Sequence, residues 1–236
     1  MNETIVNQIL ASCPLIDCSK TQDIKKARTE SLFKLRCDGQ PGGDLSPLRR
    51  LNIYHLLSQV ISYGISGDVV ELGCRQGLTT VLIHDVLKYL GSHKTVHVFD
   101  SFEGISEPTD FDGHKYQKGS FCSGVEELIA NFGLKPLPVI HKGFFEETLP
   151  ESLPDKICFA HLDSDLYEPI KLSLECVWPK LSPGGIIVID DYSHVDFPGV
   201  QLAVDEFHKG AVSLNMGTGS TEQAFIRKET CGKLYL

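Results

Sequence analysis

The chain has 236 residues, with 22 Lys and Arg against 31 Asp and Glu and a formal net charge of −9, a balance that argues against a nucleic-acid or anionic-membrane surface. Its 42% hydrophobic and 22% charged residues are ordinary for a soluble globular protein, enough for one sizeable α/β domain with additions and too few for two full domains. No apolar run approaches a membrane span.

Residues 1–44 are charged and lack a firm hydrophobic period, which predicts a helical or irregular extension serving as a lid or an oligomer contact. Leu10-Ala11-Ser12-Cys13 superficially resembles a lipoprotein cleavage site. The residues before it include Asn2, Glu3, Asn7 and Gln8 and no Lys or Arg, so export is not expected. Eight cysteines (13, 18, 37, 74, 122, 158, 176 and 231) form no Cys-x-x-Cys pair and have no His at ligand spacing, and the expectation is a reduced, cytoplasmic protein. A disulfide or soft-metal site among Cys13, Cys18 and Cys37 is the less favoured alternative.

After the break Cys37 to Gly43, the main domain is expected over 45–236. Pro47 opens a helix with Ile53, Leu57, Val60 and Ile61 on one face, ended by Gly64. The stretch Gly67-Asp68-Val69-Val70-Glu71-Leu72-Gly73-Cys74-Arg75-Gln76-Gly77 then reads as a buried strand running into a glycine turn, followed by a helix bearing Leu78, Leu82, Val86 and Leu90. Gly73 would allow the tight turn and Gly77 the close approach of a ligand at the helix N-terminus. Val96 to Asp100 is a second strand, whose terminal acid is placed to accept ribose hydroxyls. Arg75 stands where a dinucleotide fingerprint has its second glycine, which favours a ribose ligand without phosphate, such as S-adenosylmethionine (SAM).

Ser101 to Phe121 is a polar loop too long for a compact domain unless it covers something. Ser123-x-x-Glu126 resembles a capping box for a helix running to Gly133. Pro138 to His141 predicts a short strand, and Gly143-Phe144-Phe145 after it either hold an adenine ring or pack into the core.

Phe159 to Leu162 and Gly185 to Ile189 are apolar runs that end in Asp163-Ser164-Asp165 and Asp190-Asp191, joined by a helix with Ile170, Leu174, Val177 and Leu181 on one face and a turn at Ser182 to Gly185. A right-handed βαβ crossover brings all four acids to one carboxyl edge, where their mutual repulsion calls for a cation. Oxygen-only donors favour Mg²⁺ or another hard divalent ion over zinc. His161 and His194 are rival bases, His161 being more often a core position. A helix over Val200 to Phe207 and strands at Ala211 to Leu214 and Gln223 to Ile226 complete the chain, with Leu234-Tyr235-Leu236 packing or fraying at its end.

Taken together, Gly67 to Gly77, Val98-Phe99-Asp100-Ser101-Phe102-Glu103-Gly104, Gly143-Phe144-Phe145-x-x-Thr148-Leu149-Pro150, Leu162-Asp163-x-Asp165-Leu166-Tyr167 and Leu181 to Gly185 with Asp190-Asp191-Tyr192 resemble the macrocin O-methyltransferase (TylF) family over roughly Leu45 to Phe207. The resemblance implies a class I SAM-methyltransferase fold: an α/β, Rossmann-like, mostly parallel seven-stranded sheet with helices on both faces. It implies SAM- and divalent-metal-dependent transfer of a methyl group to a hydroxyl of a small molecule, commonly a natural-product sugar. By motif, Asp163, Asp190 and Asp191 would be metal ligands and Asp165 or Asp163 the base. Glu71, Gly73, Gly77, Thr79, Asp100 and Ser101 would contact the methionine and ribose parts of SAM, and Gly143, Phe144 and Phe145 the adenine. A homodimer follows from family habit. The competing classes are a nicotinamide-dependent oxidoreductase, against which Arg75 counts, and a non-catalytic SAM-binding protein, which has no use for four clustered acids.

Overall fold

The structure, a computed structural model, describes residues 46–213 and 222–229. The expected N-terminal extension, Cys13, Cys18, Cys37, Cys231, Leu214 and the Leu234-Tyr235-Leu236 end lie outside the described residues.

Thirteen elements follow in chain order among the described residues: α1 (Pro47–Ser62), β1 (Asp68–Leu72), α2 (Leu78–Tyr89), β2 (Val96–Asp100), α3 (Val125–Phe132), β3 (Val139–Lys142), α4 (Phe145–Ser152), β4 (Ile157–Leu162), α5 (Tyr167–Lys180), β5 (Leu181–Ile189), α6 (Pro198–Phe207), β6 (Val212–Ser213) and β7 (Ala224–Arg227). The strands lie in the order β3-β2-β1-β4-β5-β7-β6. β3, β2, β1, β4 and β5 are parallel, and β7 runs antiparallel to both β5 and β6. Six strands have four residues or more; the seventh is the two-residue edge ladder of β6.

Alternation along the strands sorts side chains to the two faces. Val70, Leu72, Ala160, Leu162, Ile187 and Ile189 join the core formed with α4, α5 and α6, through Leu149, Ile170, Leu174, Val177 and Val200. The intervening residues Val69, Glu71, Phe159, His161, Ile186 and Val188 are equally buried and turn to the opposite face, where Glu71 meets Thr80 of α2. Each such Leu, Ile or Val withdrawn from water contributes on the order of 1.5–3 kcal/mol before entropy is counted. Cys158 is fully buried and packs as a small hydrophobe, and burial pushes its thiol up to about 11.

Several local expectations shift. Leu56, not Ile61, completes the buried face of α1; in α2 the buried face adds Ile83 and Leu87 to Leu82 and Val86, while Leu78 is exposed. The cap of α3 is Gly124 rather than Ser123, because it is Glu127 that reaches back to accept from the Gly124 N–H at 3.3 Å. Leu181 both caps α5 and opens β5. The Ser182 to Gly185 turn is absorbed into that strand as a register shift between the pairs Ile157 with Leu181 and Phe159 with Ile186.

Candidate active site

The glycine loop between β1 and α2 is tied down by the chain itself. Gly73 has φ of +86°, its N–H donates to the Phe99 carbonyl at 2.8 Å, and a Cβ there would collide with the Asp163 carbonyl just past β4. Only glycine fits because two strands meet at that point. Gly77, φ +73°, caps α2 with its α-carbon against the Leu128 side chain, so packing against α3, rather than space for a ligand, excludes a larger residue. Asp100 clamps the loop: its Oδ2 accepts from the N–H groups of Cys74 and Arg75 at 2.9 and 2.7 Å, and its Oδ1 from Phe102 at 2.7 Å. Ser101 closes the next turn, donating to the Gly104 carbonyl at 2.8 Å and accepting from the Glu103 N–H at 3.0 Å. Gly143 joins this edge by donating its N–H to the Asp100 carbonyl at 3.0 Å. Of the two aromatics beside it, Phe145 belongs to the core and Phe144 is half-buried at the start of α4, lining a shallow depression with Ser106, Glu107, Lys118, Glu146 and Glu147.

One strand over, the parallel register of β4 and β5 puts Leu162 opposite Ile189, so the acids that follow emerge side by side. Carboxylate oxygens of Asp163, Asp165 and Asp191 lie within 4.8 Å of one another. Asp165 and Asp191 hold left-handed backbone at φ of +64° and +56°, a conformation that Asp tolerates better than most residues but that still carries strain at the site. Burial, with the charge of Asp190 added, pushes the Asp163 carboxyl well above the usual carboxylate range; burial and Asp191 do the same to Asp165. The Ser164 hydroxyl, buried between them, makes no hydrogen bond among the described residues.

Asp190 is held differently. Its side chain is fully buried, Gln223 Nε2 donates to Oδ1, and His161 Nε2 stands 3.6 Å from the same oxygen. Although burial opposes ionisation, His161, Arg49 and Gln223 outweigh it and bring Asp190 below the usual carboxylate range. His161 is itself fully buried, with Nδ1 3.0 Å from Glu71 Oε1, and Glu71 accepts from Thr80 on its other oxygen. Burial alone would suppress the imidazolium, yet Asp190 and Glu71 raise its pKa well above the ordinary value. Glu71, expected among the cofactor contacts, is therefore sealed in the sheet, and its carboxylate serves His161 rather than the crevice. Arg49 of α1 is 9% exposed and reaches the same edge: Nη2 donates to Asp191 Oδ1 at 2.7 Å and to Glu222 Oε2 at 3.0 Å, and Nη1 is 3.5 Å from Asp190 Oδ2.

The two rival bases are otherwise engaged. His161 is sealed, and His194 accepts from the Asp196 N–H on Nδ1 at 3.0 Å while its Nε2 faces Glu222 Oε2 at 3.3 Å. The long polar loop is folded and pinned. Asp112 accepts from both the N–H and the hydroxyl of Thr109 at 2.8 Å, and from the first N–H of α5, that of Tyr167, which has no partner within the helix, at 2.8 Å. Lys115 pairs with Asp196 at 2.6 Å, and Tyr116 stacks on Phe197 with centroids 5.1 Å apart. Arg75 of the glycine loop stands 5.5 Å over the Phe121 ring, so this loop, the glycine turn and the segment after β5 meet beside the acids.

A family model described as macrocin-O-methyltransferase (TylF) matches residues 45–217. The chain belongs to that family. Among curated TylF-like relatives, it is 35% identical over 160 residues to the 8-demethyl-8-(2,3-dimethoxy-alpha-L-rhamnosyl)-tetracenomycin-C 4'-O-methyltransferase of Streptomyces olivaceus, over 62% of this chain and 61% of that one. It is 30% identical over 175 residues to the mycinamicin III 3''-O-methyltransferase of Micromonospora griseorubida, covering 68% of each chain. The chain thus spans about three fifths to two thirds of these relatives. The solved O-methyltransferase NovP superposes with a TM-score of 0.67 at 25% identity, over 80% of this chain and 84% of that one. The calicheamicin methyltransferase CalS11 gives 0.65 at 23% identity, over 86% and 91%. The fold is accordingly that of the class I methyltransferases.

The sequence-derived sites divide into three groups. Asp163, Asp165, Asp190 and Asp191 are brought together; Gly73, Gly77, Thr79, Asp100, Ser101, Gly143 and Phe144 border the neighbouring glycine-loop edge; Glu71 and Phe145 are interior. Arg49, Glu222 and Gln223 were not anticipated. Glu71 and His161 did carry a signal: each is the penultimate residue of its strand, so parallel pairing sets them opposite one another.

Proposed function

We propose that this protein is a SAM- and divalent-cation-dependent O-methyltransferase acting on a hydroxyl of a small molecule, a natural-product sugar by analogy with its relatives named for rhamnosyl-tetracenomycin and mycinamicin methylation. The observation that carries this reading is the adjacency of a glycine loop clamped by Asp100 and a cluster of four acids at the ends of β4 and β5. SAM would lie along the first, bordered by Gly73, Thr79, Ser101 and Phe144, with Asp100 exchanging part of its backbone bonds for ribose hydroxyls.

The donor set fits a hard cation. Asp163, Asp165 and Asp191 offer carboxylate oxygens within 4.8 Å of one another, and burial, with the charges of Asp190 and Asp191 added, displaces Asp163 and Asp165 upward, which a bound cation would offset. Asp163, Asp190 and Asp191 would hold the ion, which when bound supplies Lewis-acid charge that lowers the pKa of an acceptor hydroxyl. Asp165, raised by burial and by Asp191, is poised to accept the hydroxyl proton as the acceptor oxygen takes the methyl carbon and the carbon–sulfur bond breaks, releasing S-adenosylhomocysteine. Asp112, Tyr116 and Phe197 hold the roof beside the acids and exclude water from the transfer.

The test is methyl transfer from SAM to a panel of rhamnosides and other deoxysugar glycosides, read as a mass gain of one methylene, with and without Mg²⁺ and EDTA. Joint Asp190→Asn and Asp191→Asn replacement is expected to abolish EDTA-sensitive turnover and leave calorimetric SAM affinity within a few-fold. Undiminished turnover in that variant would remove the cation from the mechanism.

A further inference from the structure

Two of the three carboxylates assigned to the ion, those of Asp190 and Asp191, already have a cation on them. The two planar amino groups of Arg49 span the neighbouring residues Asp190 and Asp191, at 3.5 and 2.7 Å. Gln223 and His161 crowd the Asp190 Oδ1, so the oxygen Arg49 approaches, Oδ2, is the one turned away from that internal support. A third carboxylate, Glu222, comes from just before β7 and shares Arg49 Nη2 with Asp191, at 3.0 Å, without belonging to the β5 tip. With 9% exposure, Arg49 is held away from bulk water, and Glu222 offers its guanidinium a carboxylate apart from the Asp pair.

We propose that Arg49 is a resident counter-ion, a positioning residue that occupies the acidic edge when no divalent cation is bound and competes with the cation for Asp190 and Asp191, with Glu222 as the acceptor toward which it withdraws. The inference rests on the cation reading above. Two consequences have opposite signs. Removing the guanidinium removes a fixed positive charge a few ångströms from the ion and frees the Asp191 oxygen it occupies, so the ion binds more tightly. Removing the charge of Glu222 withdraws the carboxylate that shares Arg49 Nη2 with Asp191, so the guanidinium weighs more heavily on the Asp pair and the ion binds more weakly. A purely structural salt bridge predicts instead that both replacements loosen the edge and weaken binding together. Arg49 also explains how an edge with this much negative charge folds without an ion, since an unpaired buried carboxylate is costly while a paired one is tolerated.

The experiment is Mn²⁺ binding to the full chain without SAM or acceptor, read from the loss of the free-ion electron paramagnetic resonance signal, together with thermal melts in EDTA. Arg49→Gln is expected to tighten Mn²⁺ about tenfold or more, and to lower the midpoint in EDTA, with the deficit recovered at saturating Mn²⁺. Glu222→Gln is expected to weaken Mn²⁺ several-fold. Folded Arg49→Gln protein that binds Mn²⁺ equally or more weakly overturns the proposal. If Arg49→Gln does not fold, Glu222→Gln decides alone: unchanged or tighter Mn²⁺ binding there overturns it. Wild-type protein that takes up no Mn²⁺, or whose uptake survives Asp163→Asn, sinks the cation reading and the competition with it. Uptake abolished by Asp163→Asn alongside Arg49→Gln binding that fails to tighten sinks the competition alone.

Discussion

Asp100, the last residue of β2, and Asp165, three residues past β4, both stand at the carboxyl ends of parallel strands of the same sheet, yet the protein treats them in opposite ways. Asp100 receives three backbone N–H groups on its two oxygens, and its loop is complete as it stands. Asp165 receives left-handed backbone, burial and the charge of a neighbouring acid, and its carboxyl is displaced well upward. The glycine-loop half is built to be rigid before a ligand arrives, whereas the acid half is left electrostatically incomplete. A cofactor held largely by shape needs the first arrangement, and proton and cation chemistry needs the second.

That division breaks most directly with Asp165→Asn. Loss of a general base costs about 10²–10⁴-fold in turnover, while SAM affinity, resting on the other half, is expected to stay within a few-fold by calorimetry. A parallel collapse of SAM affinity would mean that the halves are one site. Gly73→Ala tests the seam between them, since φ of +86° and the Asp163 carbonyl both oppose a methyl group there. A loss of about 3 kcal/mol in urea unfolding is expected, and because the displaced carbonyl belongs to Asp163, turnover should fall in the folded fraction too. Asp112→Ala is smaller. It uncaps α5 and strands the Thr109 and Tyr167 donors, for about 2 kcal/mol, and its readout is a lower melting midpoint with faster proteolysis within 101–121.

The glycine-loop half and the acid tips were legible because each is local: an apolar run, then a glycine or an acid, within ten residues. The parallel βαβ rule then did the long-range work of placing Asp163 beside Asp191. Arg49 was not legible, since two adjacent arginines near a helix start carry no periodicity that names a partner 141 or 142 residues away. Asp112 was hidden in the same way, as one acid in a polar loop whose cap target is 55 residues on. Glu71 was misplaced for a subtler reason. Its motif position suggested a ligand contact, but strand alternation turns it to the face opposite Leu72, where His161 waits at the matching register.

The smallest effect lies farthest from the acids and sharpens the comparison by asking whether all of this protein's pH response comes from the acid edge. His97 of β2 and His141 of β3 sit on adjacent strands with Nδ1 and Nε2 3.2 Å apart, and His141 stacks on Phe99 at 4.3 Å between centroids. Burial lowers the pKa of His97 despite Asp68, whose Oδ2 lies 3.7 Å from its Nε2; burial and the His97 charge lower that of His141. A histidine whose folded pKa is depressed binds fewer protons folded than unfolded between that value and about 6.5. Its contribution is thus fully present above pH 6.5 and is lost as the pH falls through the folded values. His141→Phe keeps the stack and removes one titrating ring together with the repulsion on its neighbour. Urea midpoints at pH 7.5 and 5.5 are expected to differ less in the variant than in the parent. An unchanged difference would assign the acid-side loss of stability to the carboxylate edge alone.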